Sequence, residues 1–80
     1  MLEDLKSSNK TVGLKQSMKA VEKMTAKQVF IAKDADERVV GRIKELCQKN
    51  NIPIVYVDTM KQLGKACDIE VGASVACLLK

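Results

Sequence analysis

The spacing of apolar residues changes several times along the chain, and each change marks an element. Residues 2–9 read as a short helix closing on Ser7, Ser8 and Asn9, residue types that favour caps and turns. Lys10 to Val12 then runs extended into Gly13. Apolar side chains at Leu14, Met18, Val21 and Met24 are spaced by four, three and three, which predicts a helix over 14–24. Val29, Phe30, Ile31 and Ala32 form an unbroken apolar run, the pattern of a strand covered on both faces. Lys33 to Asp36 is a polar loop from which Asp34 or Asp36 can cap a helix over about 37–49, with Val40, Ile43 and Cys47 facing inward. Asn50, Asn51 and Pro53 stop that helix, since Asn tolerates the left-handed conformation that ends many helices. Ile54 to Val57 is a second apolar strand. Thr59 with Gln62 forms a capping-box pattern for a short helix through Ala66. Cys67 to Ser74 reads as a loop containing Gly72, and Val75 to Leu79 as the last strand.

Strands alternating with helices define an α/β chain. The expected architecture is a three-layer α/β/α sandwich with about four short strands in a mixed sheet. Two helix-bearing crossovers predict a parallel core, with an antiparallel strand at Thr11 and Val12. Residues 1–80 form a single domain on this reading. Phe30 and Tyr56, the two aromatic residues, lie inside strand runs and are expected in the core. That leaves no aromatic platform for stacking single-stranded bases.

Composition narrows the chemistry. The chain contains no His, the commonest general base and metal ligand, and no Trp. Cys47, Cys67 and Cys77 form no C-x-x-C pair, so no metal site and no catalytic set is expected, and the chain reads as a non-enzyme without a cofactor. Three cysteines among apolar neighbours are expected as reduced, buried core residues. No apolar run approaches the roughly 20 residues of a membrane helix, and no secretory signal pattern opens the sequence. The expected setting is the cytoplasm.

The net charge of +4 hides an uneven distribution. Residues 5–33 hold seven lysines against Glu22 alone, a net +6, while the remainder is mildly acidic. Lys15, Lys19 and Lys23 repeat every fourth residue and align on one helix face. Such neighbours repel by about 0.2–0.5 kcal/mol per pair, which a bound polyanion relieves. A clustered basic stripe is the footprint of a phosphate-backbone partner, although a solvated helix face accounts for charge of this kind equally well.

Gly13 stands where that helix begins. A glycine there permits close approach of another backbone, and helix-start amides favour phosphate. Lys15, Gln16 and Lys19 follow within a turn and a half. Lys can donate to guanine O6 and N7, and Gln can address adenine N6 and N7.

The segment Gly13 to Glu22 (GLKQSMKAVE) resembles the first RNA-contacting helix of the L-seven-Ae/thirty-e ribosomal protein family. Val29–Asp36 (VFIAKDAD), Ile52–Val57 (IPIVYV) and Leu63–Ala76 (LGKACDIEVGASVA) are similar to later segments of that family in the same order. The resemblance implies an α/β/α sandwich that binds kink-turns: sharply bent RNA helices with tandem sheared G·A pairs and flipped-out nucleotides. It implies that Gly13, Lys15, Gln16 and Lys19 contact the G·A pairs and adjacent backbone. It further implies that Ile69, Glu70, Val71 and Gly72 pack against the flipped-out nucleotides. Lys23, Asp36 and Val40 are secondary RNA-binding candidates. Lys15-Gln16 stands where archaeal members usually carry Asn-Glu, a departure that resembles the short bacterial branch. Asp68 stands where relatives often carry Gly. The partner implied is structured RNA, whether ribosomal, riboswitch or other, bound by a monomer. The alternative is a protein-interaction or stress-regulatory module on the same fold, using the 69–72 loop.

Overall fold

The computed structural model describes Leu5 and residues 9–80. Four strands, β1 (Lys10–Val12), β2 (Ala26–Ala32), β3 (Ile54–Val57) and β4 (Val75–Leu79), form one sheet in the order β1-β4-β2-β3. Between them lie α1 (Leu14–Glu22), α2 (Glu37–Lys49) and α3 (Met60–Ala66). The helix expected over 2–9 falls largely outside the described residues; Leu5 is helical and fully buried.

The alternation of side chains across the sheet sorts the core into two halves. Val29, Ile31, Val75 and Cys77 face α1 and α2, packing against Val21, Val40, Ile43 and Cys47. Phe30, Ala32, Ala76 and Leu78 face the other way, against Leu63 and Ala66 of α3 and against Leu5. This is the three-layer α/β/α sandwich and mixed sheet expected from sequence.

The expectation of a parallel core is corrected. Only β2 and β3 are parallel, with Phe30 opposite Val55 and Ala32 opposite Val57. β4 runs antiparallel to both neighbours, with Phe30 and Val12 each opposite Ala76. The cause lies after α3. Asp68 takes a left-handed conformation (φ 62°), and the chain turns back along the helix it has just left. Ile69 N–H donates to Gly64 O (3.1 Å) and Ala73 N–H to Met60 O (3.0 Å). The chain thus regains the sheet edge where β3 ended and enters β4 from there.

Smaller differences have local causes. α1 ends at Glu22 rather than Met24, because Met24 is left-handed (φ 62°). β2 begins at Ala26, three residues before the apolar run, and the irregular register between Ala26 and Gln28 absorbs polar Lys27. α2 begins and ends where expected, with Asp36 as its cap and left-handed Asn51 beyond its end. Phe30 is buried, but Tyr56 is 47% exposed. Tyr56 lies on an edge strand paired only to β2, and Lys44 Nζ sits 5.5 Å from its ring centre.

All three cysteines are buried and free. Burial pushes the Cys77 thiol up to about 11, with neighbouring Cys47 adding to the rise, and burial also raises Cys47 and Cys67. In the unfolded chain a thiol ionises near 8.5, so unfolding releases protons once the pH passes that value. The stability held by the neutral buried thiols is intact below about pH 8.5 and is lost as pH rises toward the folded value. The melting temperature is therefore expected to fall across this alkaline window, and to fall less steeply in Cys77→Val; equal slopes would contradict the assignment.

Candidate nucleic-acid interface

Because β1, β2 and β3 run in one direction, their carboxyl ends share one edge of the sheet. α1, α2 and α3 all begin there, and β4 starts from it. In open α/β sheets this edge is where ligands bind, because helix-start amides and connecting loops converge.

The three helix starts are not equivalent. At α2, Asp36 Oδ1 accepts from Arg38 N–H (2.9 Å), while the Arg38 guanidinium grips the other oxygen (2.9 Å). These bonds, the side-chain one foremost, hold the Asp36 carboxyl below the usual carboxylate range. At α3, Thr59 Oγ1 accepts from Gln62 N–H (3.0 Å) and Asp34 Oδ1 accepts from Met60 N–H (2.8 Å). At α1 the capping position is Gly13, no side chain caps the amides, and the first turn carries no acid. The positive end of α1 is therefore left for an external anion, while carboxylates guard the other two.

Gly13 has φ 102° and ψ 157°, a region essentially restricted to glycine. Its N–H donates to Val75 O (2.8 Å), fixing the start of α1 beside the start of β4. A Cβ at Gly13 would meet nothing within 4 Å, so the requirement lies in the backbone, and the space outside it is open to a partner.

Lys15, Gln16 and Lys19 are exposed on α1. The opposite face buries Ser17, Ala20 and Val21, and this burial fixes the rotation of the helix. Ser17 Oγ lies 3.4 Å from Thr11 Oγ1 of β1. Lys23 is exposed at the far end, about 12 Å along the axis from Lys15 at 1.5 Å per residue.

The second half of the interface is the 68–74 loop. Ile69 is partly buried against the α3-side core, while Glu70, Val71 and Gly72 are exposed, Val71 to 70%. Gly64 of α3 lies directly beneath: a Cβ there would collide with the carbonyl oxygen of Val71. Ser74 O accepts from Ala32 N–H (3.0 Å), and Val75 is held by Gly13, so the loop returns to the sheet beside α1.

The structure thus brings Gly13, Lys15, Gln16 and Lys19 to the same edge as the loop carrying Ile69 to Gly72. Asp36 also lies on this edge but is engaged in capping α2. Val40 is 1% exposed and packs in the core between α2 and the sheet, so it offers no surface to a ligand. Two residues emerge that sequence reasoning did not single out as functional. Gly64, inside a seven-residue helix, carries the usual sign of close packing, a glycine placed where it weakens the helix. Asp34 suggests only a local cap, because its true partner is 26 residues away.

Among the described residues no cluster of three metal-ligating side chains occurs, and no helix is long and apolar enough to cross a membrane.

This arrangement of sheet, uncapped basic helix and a loop exposing Val71 defines an α/β/α binding protein. The profile of the Ribosomal protein L7Ae/L30e/S12e/Gadd45 family matches residues 2–80, and the chain belongs to that family. An RNA-binding protein of Caldanaerobacter subterraneus is 55% identical over 67 residues, covering 84% of this chain and 82% of that protein. RNA-binding protein YbxF of Geobacillus stearothermophilus is 36% identical over 76 residues, covering 95% and 93% of the two chains. The structure of the 15.5kD RNA-binding protein of Giardia lamblia superposes with a TM-score of 0.92 at 28% identity, covering 99% of this chain and 70% of that one.

Proposed function

We propose that the chain is a non-catalytic, monomeric, cytoplasmic RNA-binding protein that recognises kink-turns without a cofactor. The observation that carries this reading is the uncapped, basic start of α1 set beside the 69–72 loop at one sheet edge. Relatives described as RNA-binding proteins, spanning most of the chain, support it.

Each part has a task. The α1 amides and Lys15 and Lys23 hold phosphates, while Gln16 and Lys19 reach base edges of the sheared G·A pairs. Ile69 to Gly72 pack their apolar surface and exposed backbone against the flipped-out nucleotides. A bent RNA element suits this site because an A-form groove hides the base edges that a kink displays. Asp34 and Asp36 already occupy amides at the α3 and α2 starts, which leaves the phosphate backbone to α1. With Lys15-Gln16 in place of an acceptor-bearing pair, affinity leans on charge and falls steeply with salt.

The test is a gel shift with a kink-turn RNA and a variant whose G·A pairs are replaced by Watson–Crick pairs. Preferential binding of the kink-turn is expected. Equal binding of both means general polyanion affinity and overturns the reading. Binding of neither would favour a protein partner at the 69–72 loop, for which exposed Val71 is the suited contact.

A further inference from the structure

We propose that Asp34 is a positioning residue for the 69–72 loop, acting through the peptide groups of Met60; this rests on the kink-turn reading. Asp34 leaves β2 and reaches across to α3, where its Oδ1 accepts from Met60 N–H at 2.8 Å. The carbonyl of the same residue accepts from Ala73 N–H at 3.0 Å. Met60 is thus held on one side by the β2–α2 loop and on the other by the end of the recognition loop. The contact continues at Gly72, where a Cβ would come within 3.2 Å of Met60 Cβ and 3.4 Å of its carbonyl. Gly64 supports the same loop from below at Val71.

The Asp34 bond is more than a helix cap. Thr59 already serves α3 through Gln62 N–H, and an amide at the first helical position can be satisfied by water. An exposed carboxylate from 26 residues away adds a fixed distance between the edge of β2 and the loop. Lys33, beside Asp34, makes a second tie across the same gap: its N–H donates to Val57 O (2.7 Å) and its Nζ pairs with Asp58 (3.3 Å). With both strands so tied, loss of the Asp34 bond frees the start of α3 and, through Ala73, the loop.

The experiment compares two kink-turn RNAs, one intact and one abasic at the flipped-out nucleotide, with thermal melts alongside. Asp34→Ala is expected to weaken binding of the intact RNA about tenfold, in the range for one hydrogen bond to a charged group. Its affinity for the abasic RNA and its salt slope should stay within about twofold, because the α1 contacts are untouched. The ratio of the two affinities therefore narrows, which a general loss of stability would not produce. Asp34→Asn keeps an oxygen acceptor and should retain most of the ratio.

Met60→Pro removes the donor instead. Proline is tolerated at the first helical position, and Thr59 (φ −139°, ψ 156°) already has the extended conformation that precedes proline. Met60→Pro should narrow the ratio as Asp34→Ala does, and the double variant should bind no more weakly than the weaker single one. An unchanged ratio in Asp34→Ala, or additive losses in the double variant, overturns the proposal. Should Asp34→Ala fail to fold, Met60→Pro decides through the same ratio. If the unaltered protein does not prefer the kink-turn at all, the reading beneath fails; if it does and the ratio stays fixed, only the role of Asp34 fails.

Discussion

Lys19→Ala should weaken kink-turn binding by about 10- to 100-fold, the 1–3 kcal/mol carried by a side chain that addresses base edges. The side chain is exposed on α1, and α1 is held by Ser17, Ala20 and Val21 on its other face. Melting should therefore shift little, since surface substitutions of this kind stay within about 0.5 kcal/mol. The comparison with Lys23→Ala separates two roles. Lys23 sits near the end of the stripe, where a phosphate contact is expected, so its loss should reduce the salt slope by about 0.7–0.9 and weaken matched and mismatched RNAs alike. Lys19→Ala should instead erode the preference for G·A pairs. Titrations at two salt concentrations read both quantities, and an unchanged dissociation constant for Lys19→Ala at matched salt would remove it from the interface.

The second large effect is expected at Gly64. A methyl group there collides with the Val71 carbonyl oxygen, and it also comes within 3.0 Å of Val71 C and 3.1 Å of Gly72 Cα. These are backbone atoms, so relief requires the loop to move. Alanine recovers about 1 kcal/mol of helix propensity, against a packing cost of about 1–3 kcal/mol. The net loss of stability should be modest, while affinity falls by tenfold or more because the recognition loop is displaced (about 1.4 kcal/mol per decade). Gly72→Ala is the informative control. Its added carbon meets Met60 Cβ at 3.2 Å and the Met60 carbonyl at 3.4 Å, tight contacts without the overlap found at Gly64, so its loss should be smaller. Full affinity in Gly64→Ala would show that the loop does not need this seat.

Local chemistry made most of the fold legible. The four-three-three spacing of α1, the Asp36 and Thr59 caps and the apolar strand runs are all encoded within a few residues of where they act. The basic face of α1 was legible for the same reason. What could not be read were features set by pairs distant in sequence. The direction of β4 depends on left-handed Asp68 and on bonds from Ile69 and Ala73 back to α3. Tyr56 has the pattern of a core strand residue, but β3 turned out to be an edge, and nothing within Ile54–Val57 states that. Val40 shows the converse. Its place in an apolar helical stripe already marked it as core, and the burial observed agrees with that pattern rather than with a ligand contact. The unlike status of the three helix starts required seeing that Asp34 caps α3, a partnership across 26 residues.

The central place of β4 also makes both halves of the interface depend on one strand. β1 pairs with no other strand, and the only strand-borne acceptor for the Gly13 amide is Val75 of β4. Without β4, β1 has no strand partner and the Gly13 amide that opens α1 loses its acceptor. The two halves of the interface, fifty or more residues apart in sequence, are joined by β4 lying between β1 and β2. A substitution that loosens β4 is thus expected to disturb both halves of the proposed interface at once.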